Sequence, residues 1–127
     1  MTFDPETLAL WHDTAEIQIE TSRGGDAPVH QTVIWIVVDG DAAFVRSVRG
    51  PAGRWFRELQ ANPHGAVLAD GQRVAVAAQP ANDAASVARV SELLRDKYAK
   101  RWPGPTDSML RDEVLPTTLR LTPEAAS

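Results

Sequence analysis

Four arginines, Arg46, Arg49, Arg54 and Arg57, fall within twelve residues that contain no acid, in a chain whose formal net charge is −4. The segment VRSVRGPAGRWFR reads as a strand end carrying Ser47, a turn at Gly50-Pro51, and the start of an aromatic helix at Trp55. A guanidinium fork meets phosphate oxygens two at a time, and the free N–H groups at a helix start add a fixed positive field. The chemistry this predicts is capture of a compact anion such as a phosphate. Arg46 and Arg49 stand three apart in a strand and so point to opposite faces. Both reach one ligand only if the chain bends, and Gly50-Pro51 supplies a bend.

Other reactive constellations are missing from the chain. His12, His30 and His64 are scattered, with no acid at metal-ligand spacing, so no metal site is expected. There is no cysteine, hence no disulfide, thiolate nucleophile or Cys-type metal site. Neither a G-x-S-x-G elbow, a Walker loop nor G-x-G-x-x-G occurs. Tyr98, the last apolar-face residue of a helical stripe, reads as core, with a catalytic role as the alternative.

The 127 residues are 43% hydrophobic and 24% charged, which is enough for one globular domain over 1–127 with a core that needs no staple. Acidic net charge argues against nucleic acid as a partner, since such binding neutralises many phosphates along an extended basic surface. One short basic segment suits one small ligand. No stretch approaches the roughly 20 apolar residues of a membrane helix, and the N-terminus has no leader pattern. The expectation is a soluble cytoplasmic protein. Eleven of the thirteen basic residues are arginine, and alanine, valine and proline are abundant, a bias that suggests a GC-rich bacterial genome.

These residues need elements to position them. Asp4-Pro5-Glu6 starts a helix through about His12, with Leu8 and Trp11 inward. EIQIET, Glu16 to Thr21, alternates as a half-exposed strand. QTVIWIVV, Gln31 to Val38, is almost continuously apolar and β-branched, so it predicts a strand covered on both faces, one of them by a second subunit. Asp39-Gly40 turns into a strand Ala43 to Arg49. Trp55, Phe56 and Leu59 share one face of a short helix ended by Asn62-Pro63. A second hairpin, Ala66 to Ala69 and Arg73 to Gln79, follows around Asp70-Gly71. Asn82 or Asp83 caps an amphipathic helix carrying Val87, Val90, Leu94 and Tyr98 to about Lys100. Trp102 to Pro105 reads as a loop, Ser108 to Asp112 as a turn of helix, and Thr117 to Leu121 as the last strand.

About six short strands with helices at the corners predict an α+β fold: a six-stranded split β-barrel with short inserted helices and one longer amphipathic helix, since closure removes exposed strand edges. At this point the residues resemble the flavin and deazaflavin (F420) binding split barrels related to pyridoxamine phosphate oxidase. Trp55-Phe56-Arg57-Glu58-Leu59-Gln60-Ala61-Asn62-Pro63 is similar to the W-Y-x-N-L-x-A-N-P motif of deazaflavin-dependent nitroreductases, with Glu58 where that motif carries asparagine. The stretch through Ser47 and Arg49-Gly50 resembles the segment that wraps the cofactor phosphate, and the hairpin Thr32 to Ser47 resembles the one lying along the flavin ring. The likeness is strongest over Ile17 to Gln79 and extends to short bacterial split barrels of unassigned activity.

The resemblance implies a homodimer binding F420 or FMN, with F420 ahead on the nine-residue motif, and a hydride transfer to or from a small organic substrate. The alternative it implies is a ligand-binding or regulatory dimer that has lost the cofactor. Implied cofactor contacts are Arg46, Ser47, Arg49, Gly50, Arg54 and Arg57 near the phosphate, Trp35 and Trp55 stacked on the ring, and Thr32 at its edge. The resemblance also implies a place for Tyr98 at the border of the substrate pocket, the ground for its catalytic alternative. Because the cofactor supplies the chemistry, no dedicated catalytic side chain is required.

Overall fold

The computed structural model describes residues 2–124. Seven strands form one antiparallel sheet: β1 (Ile17–Ser22), β2 (Val29–Ile34), β3 (Val37–Asp39), β4 (Ala42–Val45), β5 (His64–Ala69), β6 (Gln72–Pro80) and β7 (Leu119–Pro123). Their order across the sheet is β2-β1-β5-β6-β7-β4-β3. The two outermost strands, β2 and β3, are separated in the chain only by Trp35 and Ile36. Two residues reach at most about 7–10 Å, so the sheet must curl until its edges nearly meet. That curl is the split barrel.

The expected single strand Gln31 to Val38 is therefore broken, and the strand count is seven rather than six. Ile17 pairs with Ile34 at one edge and Val37 with Phe44 at the other, so the break at Trp35-Ile36 is where the chain passes from one edge to the other. Continuous apolarity could not report a change of pairing partner. The outward residues of β2 are open to solvent in the single chain, Val29 at 62% and Val33 at 55% exposure, so no element of this chain covers that face.

Alternation sets the barrel interior. Ile17, Ile19, Val67, Val76, Leu121, Ala43 and Val45 face inward, and two helices plug the ends. The first, α1 (Pro5–Asp13), is capped by the Asp4 carboxylate accepting from the Glu6 N–H, and buries Leu8 and Trp11. The second, α2 (Arg54–Ala61), buries Trp55, Phe56 and Leu59. Each of these large apolar side chains contributes roughly 1.5–3 kcal/mol by leaving water.

A second cluster lies outside the barrel. Here Val37, Ala42 and Phe44 pack against Val90, Leu94 and Tyr98 of α3 (Ala84–Tyr98), with Met109 of α4 (Pro103–Met109). The cap of α3 is Asp83, which accepts from the Ser86 N–H. Strand β4 is thus covered on both faces and stops at Val45, four residues short of the expected Arg49. The expected loop Trp102 to Pro105 is instead the entry to α4, with Pro103 at its first position, where a missing N–H costs nothing. The last strand begins at Leu119 after a short 3-10 turn, Leu115–Thr117. No helix among the described residues is long and apolar enough to cross a membrane.

Candidate functional site

A cleft of about 1090 Å³ opens where the barrel is split. One wall is the end of β2 with Thr32, Val33, Ile34 and Trp35; the other is the loop after β4 and the start of α2, with Arg46, Ser47, Val48, Arg49, Gly53, Arg54 and Trp55. Trp102, Pro105, Ser108 and Met109 close the side, and Glu16 stands on the rim. Seven of the nine residues singled out in the sequence line it. Gly50 and Arg57 do not.

The loop from Ser47 to Gly53 is held tightly. Ser47 donates its backbone N–H to Thr117 Oγ1 (3.0 Å) and its hydroxyl to the Gly50 carbonyl (2.8 Å). Gly50 N–H returns to the Ser47 carbonyl and Gly53 N–H to the Gly50 carbonyl. Gly50 has φ +68°, a left-handed conformation that disfavours other residues. At Gly53 a Cβ would lie 2.3 Å from Ser47 Oγ. This packing aims the start of α2 at the cleft with Gly53 at its cap position and no side chain capping it. The first intrahelical donor is Arg57, to the Gly53 carbonyl, so the N–H groups of Arg54, Trp55 and Phe56 lack helical partners.

The arginines divide into two kinds. Arg49 and Arg54 are exposed on the cleft and make no ion pair or hydrogen bond among the described residues. Arg46 is only 2% exposed and is spent inside the fold. It donates from Nε to Thr118 Oγ1 (2.8 Å), from Nη2 to the Val87 carbonyl (2.8 Å) and from Nη1 to the Met109 carbonyl (3.3 Å). Burial, with a lesser push from Arg95, lowers its pKa to about 10. Arg57 is exposed on α2, away from the cleft wall.

The aromatic residues are similarly placed by packing. Trp35 stacks on Tyr98 with centroids 3.9 Å apart and planes 6° off parallel, and Trp102 leans against both. Trp55 is 7% exposed, partly in the core and partly on the cleft. Tyr98 is core, as its helical stripe indicated: its hydroxyl donates to the Ala15 carbonyl (2.7 Å), and burial raises its pKa. Thr32 Oγ1 is buried and has no hydrogen-bond partner among the described residues. A buried unpartnered hydroxyl is costly, and this one belongs to a residue that lines the cleft.

Glu58, the departure from the nitroreductase motif, faces away from the cleft. It accepts hydrogen bonds from Thr21 and His30. The sequence reading missed the α4 wall and rim, Trp102, Pro105, Ser108, Met109 and Glu16, and also Val33, Ile34, Val48 and Gly53 beside the residues it singled out. Pro103 at a helix start was the one available signal for the α4 wall.

The family model described as "Uncharacterized protein conserved in bacteria (DUF2255)" matches residues 7–121. No curated protein sequence matches the chain. Among solved structures, a pyridoxamine 5′-phosphate oxidase-like protein from Listeria innocua superposes with TM-score 0.66 at 17% identity, covering 94% of this chain and 92% of that one. The heme storage protein HutZ from Vibrio cholerae gives 0.66 at 18%, covering 99% and 93%. An F420-H2 dependent reductase gives 0.63 at 11%, covering 84% and 92%. At such identities these likenesses establish the fold, that of the split barrels related to pyridoxamine phosphate oxidase, which carries oxidoreductases and a heme storage protein alike. By its sequence the chain belongs to the DUF2255 family.

Proposed function

We propose that the cleft binds a phosphorylated flavin-type coenzyme, F420 ahead of FMN, for hydride transfer to or from a small organic molecule. The observation that carries this reading is the uncapped start of α2 opening between two unengaged guanidinium groups, Arg49 and Arg54, on a cleft that also presents tryptophan. Phosphate is the group such a corner suits. The ordering of F420 over FMN rests on the Trp55 to Pro63 motif.

The residues present fit such a group. Arg49, Arg54 and the N–H groups of Arg54, Trp55 and Phe56 would hold the phosphate. Gly53 keeps the backbone close to it, because a larger residue collides with Ser47. Thr32 Oγ1 would find in the ring edge the partner it lacks, and Trp55, at the start of α2 on the same cleft, offers an aromatic wall. When bound, the coenzyme supplies the ring that carries hydride; the chain's own part is to bind, orient and exclude water. None of the three histidines lines the cleft and there is no cysteine, which favours this reading over a haem ligand set. Three exposed valines beside the split, Val29, Val33 and Val48 at 45–62% exposure, support the homodimer that the reading includes.

Fluorescence titration with F420 and, separately, FMN tests the reading. Each charge-assisted phosphate contact stabilises by about 1.5–3 kcal/mol, so Arg49→Ala and Arg54→Ala should each weaken binding about 10- to 150-fold. Arg57→Ala serves as the off-site control. Absence of a response to either coenzyme up to about 100 µM (a binding energy near 5.5 kcal/mol) sinks it. Binding without reduction of any acceptor makes the protein a ligand carrier on the same fold.

A further inference from the structure

The cleft is bipolar. Its lining carries the cationic Arg49–Arg54 corner and, among the described residues, one acid, Glu16 on the rim. Register explains where Glu16 lies. Ile17 pairs with Ile34, so one step outward Glu16 comes opposite Trp35. The Tyr98 hydroxyl bonded to the Ala15 carbonyl ties this same stretch of backbone to the aromatic block. Glu16 is exposed, and its carboxylate has no ion pair or hydrogen bond among the described residues.

The block beside it is built of three rings. Trp35 and Tyr98 are parallel and in contact, and Trp102 sits 6.0 Å from Trp35 and 6.2 Å from Tyr98. Trp35 and Trp102 both reach the cleft. Tryptophan faces attract cations, as the fold itself shows: the Arg101 guanidinium lies 4.4 Å from the Trp102 ring centroid. A free carboxylate beside the open face of Trp35 completes the recognition of a flat cation, the carboxylate neutralising its charge and Trp35 covering one of its faces, with Trp102 alongside.

The cleft, about 1090 Å³ and open to solvent, matches the upper end of the roughly 300–1,000 Å³ that encloses one drug-sized ligand, so a planar cation the size of benzamidine has room at the Glu16 rim. We propose that Glu16, Trp35 and Trp102 form a separate subsite that selects a planar aromatic molecule carrying a protonated nitrogen. As the place of the co-substrate, it rests on the coenzyme reading given above; as a binding site for a flat cation, it stands on its own.

Three nearly isosteric probes test it: benzamidine, positively charged near neutral pH, benzamide, neutral, and benzoate, negative. Binding is followed by tryptophan fluorescence and by chemical-shift changes in the purified protein without added coenzyme. Wild type should bind benzamidine at least about 10-fold more tightly than benzamide, with benzoate weakest at this subsite. Glu16→Gln, at an exposed position and checked by its melting curve, should bring the benzamidine-to-benzamide ratio close to one. Equal affinity for the three probes in wild type, no binding of benzamidine at all, or a preference that survives Glu16→Gln overturns the proposal. Parallel FMN and F420 titrations separate the two readings, since loss of coenzyme binding with an intact benzamidine preference refutes the coenzyme and leaves the cation subsite standing.

Discussion

The Glu58 carboxylate lies 2.9 Å from Nδ1 of His30 and takes the Thr21 hydroxyl at 2.7 Å, so one buried acid joins α2 to β1 and β2. Of these, α2 and β2 carry the two cleft walls. Burial opposes the charge on Glu58, but the hydrogen bonds from Thr21 and His30 and the positive field of His30 and Arg54 outweigh it, and the carboxyl is held below its ordinary range. An acid whose folded pKa is depressed contributes stability above its unfolded value and loses it as pH falls through the folded value. Glu58→Gln should therefore cost about 1–3 kcal/mol at neutral pH. Wild type should lose that advantage as pH drops below about 4.3, the usual glutamate value. Urea unfolding of both proteins at neutral and acid pH measures this, and an advantage that is independent of pH disproves the assignment.

The contact between Ser47 and Gly53 gives a cycle. Gly53→Ala places a methyl 2.3 Å from Ser47 Oγ, and relief requires turning that hydroxyl off the Gly50 carbonyl. The single change should cost about 1–3 kcal/mol, the usual range for overpacking. Ser47→Ala removes the obstructing oxygen, so the double variant should be more stable than the sum of the two single effects implies, by about 0.5 kcal/mol or more. Strict additivity in denaturant unfolding rejects the collision as the reason glycine is needed.

Much of this corner was legible in the sequence, for identifiable reasons. Asp70-Gly71, the Asp4-Pro5 start, the Asp83 cap and the stripe ending at Tyr98 are local signals, and the structure follows them. Ser47, Arg49, Arg54 and Trp55 share a cleft wall because they lie within one turn and one helix start, where spacing alone carries the geometry. Trp35 and Thr32 reached the same cleft through the resemblance. The break at Trp35-Ile36 was hidden, because a β-branched run looks the same whether it pairs with β1 throughout or exchanges one partner for another. Glu16 and the α4 wall were hidden as well, being brought to the site by long-range packing that no spacing rule encodes. The sequence also made the four arginines look alike, and only burial distinguishes Arg46 from Arg49.

That distinction is measurable. Arg46→Met leaves Thr118 Oγ1 and two carbonyls, Val87 and Met109, without their donor, and should destabilise the fold by about 2–4 kcal/mol. Arg46→Lys should recover only part of it, because an ammonium cannot span three acceptors arranged for a fork. Arg49→Ala, at an exposed position, should change stability by no more than about 0.5 kcal/mol. If Arg46→Met unfolds at the same denaturant concentration as Arg49→Ala, Arg46 is not the internal strut described.

Lys97 offers a pH test with a sign that is easy to mistake. Its ammonium donates to the Trp11 carbonyl (2.8 Å) and the Ile36 carbonyl (2.7 Å), tying α1 to the crossing between the sheet edges. Burial lowers its pKa to about 8, with Asp13 pulling slightly the other way. Between that value and the unfolded lysine value of about 10.4, the unfolded chain holds a proton that the folded chain has released. Stability from this group therefore rises with pH across the window, although the ammonium hydrogen bonds suggest the opposite. Neighbouring Tyr98, whose raised pKa costs stability at still higher pH, is present in wild type and Lys97→Met alike and cancels in their difference. Guanidinium unfolding of both proteins at about pH 7 and about pH 9.5, either side of the lowered value, should show wild type gaining on the variant at the higher pH. A constant gap between them, or one that moves against wild type, shows that Lys97 keeps its proton throughout and is better solvated than its two carbonyl contacts suggest.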